Sequence, residues 1–225
     1  MTKSRVAVLI SGRGSNMLAL LKAARQPAYP AEIALVLSNR PQAHGLELAR
    51  SAGVTTCALD HTPYGGNREQ FERAMQAAIE RHSINLICLA GFMRLLTPWF
   101  VQQWDGRMLN IHPALLPAFK GINTHARALA AGVKIHGATV HFVTAEMDSG
   151  PIVAQGAVAV REEDDAETLA ARVLDVEHRI YPLSLQLVAS GRVRMADGRC
   201  LVDGVTAPGA ALIVPELRGK MSENR

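Results

Sequence analysis

The sequence predicts an α/β protein whose mostly parallel sheet is doubly wound, with helices on both faces and a mixed C-terminal part. Short runs of β-branched and aliphatic residues alternate with longer amphipathic segments through most of the chain, which is the pattern of strands followed by crossover helices. The last three apolar runs lack long helical segments between them. We therefore expect part of the sheet to be antiparallel.

The predicted elements follow in order along the chain. Strands are predicted over residues 6–10, 32–37, 54–59, 86–90, 108–112, 138–143 and 152–160. Helices are predicted over residues 17–25, 43–52, 68–81, 123–131 and 166–190. With 225 residues, 48% of them hydrophobic, and no linker or repeat, we expect one domain over residues 1–204. Residues 205–225 are predicted to form a loosely ordered tail of unknown role.

Composition narrows the class of ligand and the compartment. The formal net charge is +4, but the Lys and Arg residues are scattered, which favours a small anionic substrate over nucleic acid. Cys57, Cys88 and Cys200 are odd in number and far apart, so neither a disulfide framework nor a zinc spacing is predicted. No segment resembles a signal peptide or a membrane span. We expect a cytoplasmic protein, monomeric or homodimeric, that binds small molecules and no membrane.

A glycine-rich loop over residues 11–16 joins the first strand to the first helix. Free backbone N–H groups and the helix dipole at such a position hold a phosphate. The alternative is an ordinary tight turn with Ser15 or Asn16 as the N-cap. A dinucleotide is disfavoured because Met17 replaces the third glycine of the fingerprint and no ribose-binding acid follows the second strand, where Arg40 stands. A monophosphate is the preferred ligand.

Three polar residues form a candidate catalytic set. Strand alternation puts Asn110 and His112 on one face, and Pro113 then ends the strand at the edge of the sheet where ligands bind. An amide donor beside an imidazole suits acyl transfer, with Asn110 stabilising an oxyanion and His112 supplying or relaying a proton. Asp148, in a later turn, would favour the protonated imidazole. The alternative is that all three are structural hydrogen-bonding or turn residues.

Further histidines leave two questions open. A metal is not predicted, because no pair of histidines has HxxxH or HExxH spacing. His141 alternates onto the same strand face as Thr139, so it either enters the active site or packs in the core. No role is predicted for His125 or His136.

Several segments together resemble the signature of the folate-dependent formyltransferases. They are residues 110–117, Gly121, His125, 136–143 and 147–152. Within that superfamily, residues 12–16 and 90–96 resemble the glycinamide ribonucleotide branch, and the likeness runs from Val6 to Gly204. The resemblance implies a Rossmann-like formyltransferase fold. It also implies formyl transfer from 10-formyltetrahydrofolate to the amine of glycinamide ribonucleotide in purine biosynthesis, without metal or ATP.

The resemblance also assigns residues to each function. The catalytic residues it implies are Asn110, His112 and Asp148. The residues it implies for the ribonucleotide are Gly12, Arg13, Gly14, Ser15, Asn16 and Glu177. Those it implies for the folate are Arg68, Met93, Arg94, Leu95, Leu96 and Asn110, with the loop before Asp148. Without the resemblance, Glu177 would be interpreted as part of a polar helix face. Leu95 and Leu96 would be interpreted as core residues, and Arg68 as a residue of the first turn of a helix.

Three rival functions remain. Formyltetrahydrofolate deformylase uses a similar Asn, His and Asp set on water, but it usually carries an N-terminal regulatory domain, and we expect none because the first strand begins by Val6. Methionyl-tRNA formyltransferase typically adds a C-terminal tRNA-binding domain, which we also do not expect. A non-catalytic nucleotide-binding or folate-binding protein would not need all three polar residues.

Overall fold

The computed structural model describes residues 2–196, 198–204, 209 and 212–215. Seven strands form one sheet in the spatial order β3-β2-β1-β4-β5-β6-β7. They are β1 (Ser4–Ile10), β2 (Ala31–Ser38), β3 (Thr56–Ala58), β4 (Leu86–Leu89), β5 (Met108–His112), β6 (Ile135–Phe142) and β7 (Ile152–Ala159). The first five pair in parallel, whereas β6 and β7 pair antiparallel. The predicted mostly parallel sheet with a mixed C-terminal part is confirmed.

Helices cover both faces of this sheet, as predicted. They are α1 (Ser15–Ala24), α2 (His44–Ser51), α3 (Arg68–Glu80), α4 (Pro98–Gln103), α5 (Thr124–Ala130) and α6 (Ala166–Ala189), with a 3₁₀ turn at Thr62–Tyr64. Alternate residues of β1 enter two different cores. Val8 packs in the core that includes α1, α2 and α6 residues, and Leu9 packs in the core that includes α3 and α4 residues.

Two local elements are additional to those predicted. Helix α4 begins where the Thr97 side chain accepts a hydrogen bond from the Phe100 N–H and Pro98 occupies the first turn. A hairpin of β8 (Val193–Ala196) and β9 (Arg199–Val202) follows α6. Within the described residues, no helix is long and apolar enough to cross a membrane. Of the predicted tail, only Gly209 and residues 212–215 are described.

The sheet topology determines where ligands can bind. The chain moves outward from β1 through β2 to β3, and then crosses back to β4 on the other side of β1. In open α/β sheets, the crevice beyond the carboxyl ends of the strands at such a reversal is the usual ligand site. The glycine-rich loop after β1 and the polar end of β5 both lie at this edge.

Candidate active site

A cavity of about 870 Å³ opens beyond the carboxyl ends of β4 and β5. Its polar lining includes Asn110, His112, His141 and Asp148, the candidate catalytic set with the one histidine whose position the sequence left open. The segment 91–96 after β4 and the loop 144–148 form further walls. The cavity is large enough to bury most of a drug-sized ligand.

Asn110 is oriented by His141 on the neighbouring strand. The two residues are directly paired in the antiparallel β5–β6 ladder, and Nδ2 of Asn110 lies 3.2 Å from Nε2 of His141. Nδ1 of His141 lies 2.9 Å from the carbonyl oxygen of Phe142, which makes Nδ1 the donor and Nε2 the acceptor. Burial lowers the pKa of His141, which favours this neutral form. One Asn110 N–H is therefore held by His141, and the other remains available to a ligand.

His112 has an acceptor at each ring nitrogen. Nδ1 lies 3.4 Å from Oδ2 of Asp148, and Nε2 lies 3.0 Å from the carbonyl oxygen of Phe119. The side chains of His112 and Asp148 are only 5% and 10% exposed. Two acceptors in a water-poor site suit an imidazolium, in which both nitrogens carry a proton.

The groups that face His112 are themselves held in unusual backbone conformations. Phe119 has a φ of 55° and Asp148 a φ of 52°, both in the left-handed region. Such a conformation costs on the order of 1 kcal/mol or more for a residue with a side chain, and it is concentrated at functional sites. The Asp148 carboxylate also accepts a hydrogen bond of 2.8 Å from the backbone N–H of Gly121. Two separate loops, the one with Phe119 and Gly121 and the one with Asp148, therefore set the position of one imidazole.

Two more histidines lie close together at this cavity, with His125 partly buried in its lining and His136 buried. The rings of His125 and His136 are 5.3 Å apart and nearly perpendicular. Burial is the main cause that lowers the pKa of each, to about 4 for His136. Within the described residues, Nδ1 of His125 and Nε2 of His136 have no hydrogen-bond partner. Both rings are thus neutral at pH 7.

Apolar side chains surround the mouth of the cavity. Met93, Leu95, Ile122 and Met147 all line it and are 51–75% exposed. Leu96, in contrast, packs partly against the core that includes Phe100. Exposed apolar side chains concentrated around one opening indicate a ligand with a hydrophobic part.

The glycine-rich loop ends at Gly14, which is the N-cap of α1 and has a φ of 80°. No side chain caps this helix, so Ser15 and Asn16 are not N-caps, contrary to the tight-turn alternative. Nδ2 of Asn16 donates to Oε2 of Glu177 on α6, with a distance of 2.5 Å. Burial raises the pKa of Glu177, and the Asn16 hydrogen bond opposes this shift. Oδ1 of Asn16 is buried and has no partner among the described residues, which leaves an acceptor for a ligand.

The structure brings most, but not all, of the candidate residues to the cavity. Arg13 and the segment 93–96 line it together with the polar set, whereas the pair of Asn16 and Glu177 lies outside its lining. Arg68 is exposed at the first turn of α3 and is also outside the lining. The Phe119 carbonyl could not be predicted from the sequence, because a backbone acceptor has no side-chain signal.

Comparison with known proteins identifies the family to which the chain is similar. The model of the family described as "Formyl transferase" matches residues 4–185. The chain is 41% identical over 203 residues to "Phosphoribosylglycinamide formyltransferase" of Escherichia coli (strain K12), covering 90% of this chain and 95% of that protein. It is also 50% identical over 195 residues to "Trifunctional purine biosynthetic protein adenosine-3" of Gallus gallus. There the match covers 87% of this chain but only 19% of the relative.

Solved structures agree with the fold. The crystal structure of glycinamide ribonucleotide transformylase 1 from Symbiobacterium toebii superposes with a TM-score of 0.86 and 44% identity, covering 89% of this chain and 94% of that one. A formyltetrahydrofolate deformylase from Burkholderia mallei superposes with a TM-score of 0.81 at 29% identity, and 70% of that chain is covered.

Proposed function

This chain belongs to the formyl transferase family, and we propose that it transfers the formyl group of 10-formyltetrahydrofolate to the amine of glycinamide ribonucleotide. The products are formylglycinamide ribonucleotide and tetrahydrofolate. The observation on which this proposal depends most is the convergence of Asn110, His112 and Asp148 on one cavity with an apolar mouth. The E. coli relative of nearly equal length, named for this reaction, supports the choice of acceptor.

The reaction requires stabilisation of one developing negative charge. The amine nitrogen attacks the formyl carbon, a C–N bond forms, and the carbonyl oxygen becomes an oxyanion. The free N–H of Asn110 and an N–H of protonated His112 donate to this oxygen, and removal of one such donor typically costs about 100-fold or more in turnover. The intermediate collapses as the bond from carbon to N10 of the folate breaks. A proton lost by the attacking amine ends on N10.

Asp148 acts on His112 and not on the substrate. Its carboxylate, 3.4 Å from Nδ1, stabilises the positive imidazolium. The Phe119 carbonyl at Nε2 is the weaker of the two acceptors because it is neutral. We propose that the formyl oxygen replaces it when the folate binds, so that the Nε2–H turns to the oxyanion without loss of the Asp148 contact.

The ribonucleotide is held at the start of α1. Uncapped backbone N–H groups of Ser15 and Asn16 donate hydrogen bonds to the phosphate oxygens, with Gly12, Arg13 and Gly14 beside them. Glu177 and the unpartnered Oδ1 of Asn16 supply acceptors for the hydroxyl donors of the ribose. Such polar groups need a donor when buried, and the ribonucleotide provides donors that water would otherwise supply.

The folate occupies the larger cavity. Its flat ring system packs against the exposed side chains of Met93, Leu95 and Met147, beside Arg94 and Leu96. We assign Arg68, which is exposed outside the cavity, to the distal anionic end of an extended folate and not to the reacting ring. We further propose that the protein works in the cytoplasm, where its three cysteines, free within the described residues, remain reduced.

A label-transfer experiment tests the proposal. The purified protein is incubated with formyl-labelled 10-formyltetrahydrofolate and glycinamide ribonucleotide, and the products are separated by mass. We expect the label on the ribonucleotide amine, and we expect His112→Ala to abolish it. Label recovered as free formate would instead identify hydrolysis, the deformylase reaction. Binding of both molecules without any movement of the label would identify a non-catalytic protein.

A further inference from the structure

A second cavity, of about 580 Å³, lies beyond the carboxyl ends of β1, β2 and β3. It is on the other side of the glycine-rich loop from most of the candidate active site. Asn110, His112 and Asp148 do not line it, and Arg13 is the one described residue whose side chain belongs to both cavities. The function proposed above uses Gly12 and Arg13 at its edge and gives the rest of this cavity no role.

Two arginines from different loops face the second cavity. Arg13 comes from the loop after β1 and Arg40 from the loop after β2. Within the described part of the chain, neither guanidinium is hydrogen-bonded and neither has a carboxylate within 4.0 Å. Two unpaired guanidinium groups at one cavity repel each other, and a phosphate between them relieves this repulsion through bidentate hydrogen bonds.

Two residues of the cavity lining, Ser11 and His61, are joined through Asn39 in a hydrogen-bond network. Oγ of Ser11 donates to Oδ1 of Asn39 over 2.6 Å, and the ring Nδ1 of His61 lies 2.9 Å from the Asn39 carbonyl oxygen. Ser11 and Asn39 are 3% and 1% exposed. Because Asn39 directly precedes Arg40, this network fixes the backbone from which the arginine extends. The loop that carries Arg40 is therefore fixed to the loops after β1 and β3 by these hydrogen bonds.

The part of the cavity lining that follows β3 has a different chemistry. Asp60 follows β3, and hydrogen bonds from the Thr62 N–H and hydroxyl lower the pKa of its carboxyl, so it is ionised at neutral pH. A carboxylate at that end would repel a second phosphate but would accept hydrogen bonds from a sugar diol. The flat rings of His44 and His61, also in the lining, offer surfaces for a planar base.

We propose that this cavity binds a nucleoside 5′-monophosphate, with its phosphate between Arg13 and Arg40 and its ribose hydroxyls at Asp60. The position matches the half of a doubly wound sheet that holds the nucleoside end of a ligand, where a residue just after the second strand contacts its sugar or phosphate. The volume of about 580 Å³ lies within the ordinary range for a ligand of this size.

Calorimetric titration of the full chain with adenosine 5′-monophosphate tests the site. Arg40→Ala removes one of the two phosphate ligands and should weaken binding about tenfold or more. Arg50→Ala is the matched control, since Arg50 is exposed on α2 but does not line the cavity. We expect this control to bind as the wild type does. Because Arg40 is exposed, thermal unfolding of Arg40→Ala should match the wild type and so exclude misfolding as the cause.

Two further titrations identify the ligand and its location. Adenosine and inorganic phosphate should each bind at least about tenfold more weakly than the monophosphate, because each lacks one half of the contacts. Glu177→Gln should leave the affinity unchanged. Unchanged affinity in Arg40→Ala, or loss of binding only in Glu177→Gln, would overturn the assignment by locating the nucleotide at the ribonucleotide site. Equal affinity for inorganic phosphate would overturn the nucleoside part, and absence of wild-type binding would overturn the whole.

Discussion

Replacement of Asn110 by alanine should damage turnover and stability through two separable effects. The catalytic effect is the loss of an oxyanion donor, which typically lowers turnover by about 100-fold to 1,000-fold. The structural effect arises at His141, whose Nε2 accepts from Asn110 over 3.2 Å and whose side chain is only 3% exposed. Loss of that donor leaves a buried acceptor without a partner, at a cost of about 1–3 kcal/mol in the free energy of unfolding.

A second substitution separates these effects. His141→Phe keeps a ring of similar size but removes the acceptor, so Asn110→Ala no longer leaves a nitrogen unsatisfied in that background. The stability loss of the double variant should therefore fall short of the sum of the single losses by about 1 kcal/mol or more. Turnover behaves differently. His141→Phe should reduce kcat less than Asn110→Ala does, because the amide is still present but less firmly oriented, and the double variant should resemble Asn110→Ala alone.

Urea unfolding and steady-state kinetics on the four proteins provide both sets of values. Kinetics are measured at a temperature at which each variant is fully folded, so that lost turnover cannot reflect unfolded protein. A fall of less than tenfold in kcat for folded Asn110→Ala would refute its role as an oxyanion donor. Strictly additive stability losses would show that the contact between Asn110 and His141 contributes nothing to folding.

Three other perturbations have defined outcomes. The pKa of His136 is lowered from 6.5 to about 4, so the contribution of its neutral ring to stability is complete above pH 6.5 and is lost as the pH falls towards 4. When the pH is lowered from 7 to 4.5, the unfolding free energy of the wild type, measured in urea, should fall by about 2 kcal/mol more than that of His136→Gln. Gly14→Ala adds a Cβ at a φ of +80° and 3.0 Å from a backbone carbon, whereas Gly53→Ala has a φ of +79° with open space around it. Gly14→Ala should be more destabilising than Gly53→Ala, and only Gly14→Ala should raise KM for the ribonucleotide. Equal effects of the two substitutions would show that the close backbone contact is not the reason for glycine at position 14. Leu95→Ala should raise KM for the folate with a change in unfolding free energy within about 0.5 kcal/mol, while Leu183→Ala, equally a partly exposed leucine but away from the cavity, should leave KM unchanged.

The succession of strands and helices along the chain and the polar end of β5 could be predicted because both depend on short-range patterns. Alternation along five residues is enough to put Asn110 and His112 on one face. The antiparallel β6 and β7 followed from the shortage of long helices between the last strands. Boundaries were less accurate where pairing ends early, as in β3, which pairs with β2 over Thr56–Ala58 although the apolar run is longer.

Features that depend on backbone conformation or on contacts between distant parts of the chain could not be predicted from the sequence. The Phe119 carbonyl faces His112 only because Phe119 adopts a φ of 55°, which its side chain does not indicate. The burial of Glu177 depends on the contact between α1 and α6, elements separated by most of the chain. The additional helix α4, in contrast, did have a local signal, since Thr97 followed by proline is an ordinary N-terminal cap.

The most direct test of the account is whether tetrahydrofolate release depends on the acceptor. Purified protein is mixed with 10-formyltetrahydrofolate, with and without glycinamide ribonucleotide, and tetrahydrofolate formation is followed by absorbance. Tetrahydrofolate should be released only when the ribonucleotide is present, and not at all by His112→Ala under either condition. Equal release without the ribonucleotide would contradict it and would show that water, not the amine, is the attacking group.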